Sequence, residues 1–218
     1  MTDHFISDPH FDHTNIIKYS GRVDCLSGVE FKEYDRLLSL NDSRMKSLKI
    51  SKESLETMNT AIIDDWNRKV KENDTLWCLG DFYIGHSKQR LVEIRNKIRC
   101  KNIHLIYGNH DQKWIRKHCP PYLFKSCSDV RFIKINNQEI FLSHYCHVIW
   151  PKSHHGTWHL FGHSHSSLNK WVEEHMPNAK CLDVGVDNQN GSYSPWSFDE
   201  VKQYMDTKQG QIVDHHQD

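Results

Sequence analysis

Ile103-His104-Leu105-Ile106-Tyr107-Gly108-Asn109-His110-Asp111 is the stretch that decides the fold class. A short apolar run with the length of a buried strand ends abruptly in four small or polar residues. The same design stands upstream, where Thr75-Leu76-Trp77-Cys78-Leu79 ends at Gly80-Asp81 and His4-Phe5-Ile6-Ser7 runs into Asp8-Pro9-His10. It stands again downstream. Glu139 to Ser143 precedes His144, Trp158 to Phe161 precedes Gly162-His163-Ser164-His165, and Cys181 to Val186 encloses Asp183.

Helical patterns separate these strands. Leu55, Met58, Ile62, Trp66 and Val70 step by three or four residues, so a helix is expected from about Lys52 to Val70, with Ser51 as its N-cap and Glu53 in its first turn. Ser87 opens another, with Leu91, Ile94 and Ile98 on one face, and Ser197-Phe198-Asp199-Glu200 begins a last one reaching about Lys208. Asn15 to Ser20 makes a helical turn, and Val130 to Ile135 and Glu139 to Ser143 flank Asn136-Asn137-Gln138 as a hairpin. Strands alternating with helices predict an α/β layer architecture. The chain shows no repeat or linker, so one domain is expected over 1–209, followed by a frayed tail over 210–218. Within it, residues 24–50 read as an inserted cap or flap. Phe31, Tyr34 and Leu38 have helical spacing there, and Asn41-Asp42-Ser43 is a break.

Composition narrows the function. The chain has 218 residues, with 28 Lys+Arg against 28 Asp+Glu. A zero net charge argues against holding long nucleic acid by phosphate contacts. Mean hydropathy is −0.73, and no apolar run is long enough to span a bilayer. The start, Met1-Thr2-Asp3-His4, lacks the charged-then-apolar pattern of a leader, so a cytoplasmic location is expected. Seven cysteines at irregular spacing, without CxxC, predict reduced thiols rather than a disulfide framework or a structural zinc site. Seventeen histidines instead suggest a metal site of N and O donors.

Residues at strand carboxyl ends meet in the crevice where α/β sheets bind ligands. Asp8 and His10 share one turn, a carboxylate at Asp81 can bridge two cations, and Asn109 offers a neutral amide oxygen. His110 is free to face a substrate, with Asp111 expected to orient its ring.

The ordered series Asp8-x-His10, Gly80-Asp81, Gly108-Asn109-His110-Asp111, a strand-end His144, then Gly162-His163-x-His165 resembles the calcineurin-like metallophosphoesterases over about residues 1–190. Ser7 to Ile17 and His144 to His165 are further similar to small bacterial and phage members of that superfamily. The resemblance implies a four-layer αββα sandwich of two mixed β-sheets flanked by helices. It implies two divalent metal ions, with Mn favoured over Fe, Co, Ni and Zn. One would take Asp8, His10, Asp81 and His165, and the other Asp81, Asn109, His144 and His163. His110 and Asp111 would be the catalytic pair. Two such cations can clamp a phosphoryl centre and make a bridging water acidic enough to attack it.

Substrate contacts are expected from Asn109, His110, His13 and one of His154 and His155, which precede Gly156 in a loop. His147 and Trp150 are candidates for the same cleft, and Tyr107, Trp114, Tyr145, Trp150 and Trp158 for stacking on a base or packing in the core. Asp183 and Asp187 read as supports, and His215-His216 as tail. The expected activity is phosphodiester hydrolysis on a small, possibly cyclic, nucleotide or a short oligonucleotide. A phosphomonoesterase or nucleotide pyrophosphohydrolase on the same metals is the alternative. A non-catalytic scaffold is disfavoured, because every donor position holds a competent residue. Gly80-Asp81-Phe82-Tyr83 lacks the Arg and second Asp of the protein Ser/Thr phosphatases, which weakens a phosphoprotein substrate.

Overall fold

The computed structural model describes residues 1–188 and 192–211. Strands β1 (Asp3–Ile6), β2 (Thr75–Cys78), β3 (Asn102–Ile106), β4 (Ser126–Ser128) and β9 (Trp196–Ser197) form one sheet in the order β4-β3-β2-β1-β9. Its pairs are parallel except β1 with β9. Strands β5 (Val130–Ile135), β6 (Gln138–Ser143), β7 (Trp158–Phe161) and β8 (Cys181–Asp183) form the second, with an antiparallel β5–β6 hairpin and parallel pairs after it. Both sheets are therefore mixed. Asn136 and Asn137 turn the hairpin at φ 47° and 67°, the left-handed pair that a two-residue turn requires.

Alternation along the strands builds the layers. Phe5, Trp77, Leu79 and Ile106 point from the first sheet onto Ile140, Leu142, Trp158, Leu160 and Leu182 of the second. Ile6, Leu76, Cys78, Ile103 and Leu105 point the other way, onto helices α3 (Lys52–Lys69), α4 (Lys88–Lys97) and α5 (Lys113–His118). Phe141, Phe161 and Cys181 cover the far side of the second sheet with α6 (Asn169–His175) and Trp150. This is the four-layer sandwich. Ser51 and Ser87 cap α3 and α4 as expected, accepting from Ser54 N and Arg90 N. Helix α7 (Phe198–Asp206) opens on a capping box of Ser197 and Glu200 and sends Phe198, Val201 and Met205 into the central layer.

In the 24–50 segment, helix α2 (Gly28–Ser39) buries Tyr34 and Leu37, while Phe31 and Leu38 face solvent. Two expectations need correction, at Cys119 and Cys127 and at the start of the tail. Cys119 and Cys127 form a disulfide across Cα atoms 5.6 Å apart, so the expectation of reduced thiols fails at these two positions. Sequence spacing could not see that α5 turns back beside β4. Gly210 and Gln211 are tied to Asn178 and His175 by hydrogen bonds rather than frayed. His215 and His216 lie outside the described residues.

Candidate metal centre

The sheet ladders carry the motifs into one crevice. Past Ile6, the β1–β2 ladder continues as Asp8 N to Gly80 O, His10 N to Asp81 O and Phe11 N to Phe82 O. The β2–β3 register, Cys78 beside Leu105, sets Asp81 against Gly108. In the second sheet Leu142 pairs with Leu160, which brings His144 alongside Gly162. Two glycines are required by this closeness. A Cβ on Gly108 would lie 2.2 Å from Asp81 Oδ1, and one on Gly162 would lie 2.0 Å from Ser7 Oγ and 2.3 Å from Asp8 Oδ2.

Two donor groups result. Asp8, His10 and His165 offer ligand atoms within 4.8 Å of one another, and so do Asp81, His144 and His163. Asp81 Oδ2 lies 3.4 Å from His10 Nε2 and 3.7 Å from His144 Nε2, between the two groups. Asn109 Oδ1 is 3.0 Å from His144 Nε2. Asp8, His10, Asp81, His163 and His165 all have φ between 47° and 67°, a left-handed conformation that side-chain-bearing residues rarely adopt and that clusters at functional sites.

The donor set fits a divalent cation. Asp8 Oδ1 and His10 Nε2 are buried without a hydrogen-bond partner, which is costly unless something positive meets them. Asp8 Oδ2 is already satisfied by the His163 N–H at 2.7 Å. Burial pushes the Asp81 carboxyl up, but the neighbouring His10 and His144 rings and the His110 N–H outweigh it and hold it at about 2. His10 is itself raised, because Asp8 and Asp81 overcome its burial. Both shifts report a crevice that attracts positive charge.

Supporting groups fix the imidazoles. His144 Nδ1 donates to the Leu79 carbonyl at 2.7 Å, which fixes the ring with Nε2 toward Asp81. His165 Nδ1 donates to Asp187 Oδ2 at 2.6 Å, the carboxylate–histidine arrangement that orients metal ligands. Asp187 is held in turn by buried Arg22, which also donates to the carbonyls of Asp8 and Pro9. Asp183 accepts from Ser164 Oγ, Ser166 N and Gly185 N, bracing the turn that carries His163 and His165. Arg22 was not singled out in the sequence. Its partner lies 165 residues away, and nothing local marks it.

The remaining candidates divide. His13 lines the cleft, with Nδ1 3.0 Å from His10 Nδ1. Burial, then the neighbouring His10 and His110, press its pKa down to about 4, so it is neutral. His110 donates its backbone N–H to Asp81 Oδ1 and leaves its ring exposed on the same cleft. Asp111 does not reach that ring. Its carboxylate accepts from Gly108 N, Asp81 N and Phe82 N and locks the two strand-end turns together. Burial pushes it up to about 6 despite these donors.

His154 and His155 are placed elsewhere. Strands β6 and β7 are parallel, so their connection must return to the opposite end of the sheet. Gly156 O accepts from Gln138 and Lys152 pairs with Glu139, at the start of β6 and about 16 Å from the end that carries His144. Trp150 and Trp158 are core, and His147 packs on Phe141 and His159. Tyr107 bonds back to α5, and Trp114 packs against the helix-side core. Tyr145 alone of the five aromatics stands exposed beside the centre, with its ring 4.6 Å from that of His163.

Buried carboxylates and imidazoles converging from two facing sheets make a candidate centre for divalent metal. The calcineurin-like phosphoesterase family matches residues 4–209, and the chain belongs to that family, whose members carry dinuclear metal centres. An uncharacterised protein of Methanocaldococcus jannaschii is 26% identical over 210 residues, 96% of this chain and 93% of that one. The crystal structure of a protein of unknown function from Aquifex aeolicus has the same fold. Its TM-score is 0.60 at 21% identity, over 93% of this chain and 98% of that one. Among the described residues no helix is long and apolar enough to cross a membrane.

Proposed function

We propose that the protein hydrolyses a phosphodiester of a small nucleotide or short oligonucleotide. The observation that carries this reading is the pair of adjoining donor groups around Asp81, with Asp8 Oδ1 and His10 Nε2 buried and unpartnered. Asp8, His10, Asp81 and His165 would hold one divalent metal, and Asp81, Asn109, His144 and His163 a second, with manganese favoured. When bound, the metals supply an activated water and stabilise charge on the phosphoryl oxygens.

The chain's own residues do the rest. His10 offers Nε2 to the centre only if Nδ1 carries its proton, and His13 Nδ1 accepts that proton at 3.0 Å. His13 then bears its own proton on Nε2, a donor on the cleft wall. His110 is placed to donate to the leaving oxygen. The cleft, about 540 Å³, is lined by His, Ser, Asp81, Ile16 and Tyr19, with no Lys or Arg among its described lining residues. A diester carries one negative charge where a monoester carries nearly two, so a wall without fixed cations favours the diester.

The test is hydrolysis of bis-p-nitrophenyl phosphate beside p-nitrophenyl phosphate, after chelation and re-addition of Mn²⁺. Metal-dependent turnover of the diester with little on the monoester is expected. A preference for the monoester overturns the diester assignment in favour of a phosphatase.

A further inference from the structure

The cleft has lining residues that the metal chemistry does not use. Helix α1 (Ile16–Tyr19) borders it, and Ile16, Tyr19 and Ser20 line it together with the histidines. Ile16 is buried beneath this wall, but Tyr19 is 60% exposed. A side chain left that open on the cleft wall keeps its aromatic surface available to a bound molecule.

The neighbouring contacts hold Tyr19 in place. Lys18, one residue before it, is buried and donates to the carbonyls of Lys46 and Leu48 at 2.8 and 2.9 Å. These bonds pin α1 to the 24–50 segment and occupy the ammonium, so Lys18 is not a phosphate ligand. The same ammonium sits 5.3 Å from the centroid of the Tyr19 ring, within the range of a cation–π contact.

We infer that Tyr19 is the platform of a subsite for a planar aromatic group, the base of a nucleotide whose phosphate lies at the Asp81 centre. The inference rests on the proposed phosphoester site and adds which part of the substrate is recognised beyond the phosphorus. Base–aromatic stacking tolerates any base, because every base has a π-face. Tyr19 would therefore select for the presence of a base rather than its identity.

The experiment measures binding of adenosine 5′-monophosphate and of ribose 5-phosphate, which lacks the base, to the manganese-loaded protein by titration calorimetry. Tyr19→Ala and Tyr19→Phe are compared with the unaltered chain. The unaltered protein is expected to prefer the nucleotide. Tyr19→Ala should weaken the nucleotide by about fivefold or more, the lower end of a base–aromatic stack, and leave ribose 5-phosphate unchanged. Tyr19→Phe should keep the preference. A preference that survives in Tyr19→Ala, or is absent from the unaltered protein, overturns the subsite. Turnover of bis-p-nitrophenyl phosphate by the same preparations reports separately on the diester reading, which can fail while the base preference stands.

Discussion

Asp81 sits where four influences meet: His10, His144, the His110 N–H and the Gly108 backbone. Replacing it by Asn keeps the shape and removes the charge between the two donor groups. Asp81→Asn should lose activity and at least one metal equivalent by elemental analysis, and full turnover would refute the assignment. His110→Gln should keep both metals and lose about 10²–10⁴-fold in rate, the range for a general acid. Asp187→Asn probes the support instead. It leaves His165 Nδ1 and Arg22 without their anion, and metal affinity measured against a competing chelator should fall about 10–100-fold. The candidate donors could be picked out because each stands at or just past the end of an apolar run. Arg22 and the locking role of Asp111 were not, because a hydrogen bond to a distant backbone leaves no local pattern.

Glu30 ties the 24–50 segment to the start of α3. Its carboxylate accepts from Ser27, Ser51 and Ser54, closing the α2 capping box and joining it to the start of α3. Burial alone would raise its pKa, but the Ser54 and Ser27 hydrogen bonds outweigh it and bring the group down to about 2 from an ordinary 4.5. A carboxyl lowered on folding stabilises fully above its unfolded value and loses that stabilisation as pH falls toward the folded one. Melting temperature should therefore drop between pH 4.5 and 2 by more in the unaltered protein than in Glu30→Gln, and parallel curves would refute this. The long helices were readable because Ser51, Ser87 and Ser197 stand at the head of apolar stripes. The strands β4 and β9 were not, being three and two residues long, too short for any alternation. For α2 the periodicity marked a helix but not its buried face, since Phe31 and Leu38 share the spacing that Tyr34 and Leu37 use.

At the scale of the whole molecule, four buried carboxylates gather at or past the strand carboxyl ends, while a fifth, Asp74, stands just before the start of β2. Asp8, Asp81, Asp111 and Asp183 are all nearly inaccessible, and Asp111 and Asp183 are both pushed up by burial. Divalent cations that bind only the folded chain should stabilise it by mass action, by about 2.7 kcal/mol per site at a hundredfold excess over Kd. Chelation should lower the melting temperature and re-addition of Mn²⁺ restore it. A melting temperature indifferent to chelation would refute a resident metal. The layered architecture followed from the alternation of elements, but not the meeting of the sheets through the Ser7–Gly185 bridge.

That meeting has a consequence for how the chain is made. Asp8, His10, Asp81 and Asn109 come from the first sheet, and His144, His163 and His165 from the second. A ribosome releasing the chain from its amino end delivers four donors well before the other three. Each candidate donor group contains a residue beyond β7, His165 in one and His163 in the other, so neither is complete before that strand emerges. Late completion would keep a partly made chain from binding the proposed metals.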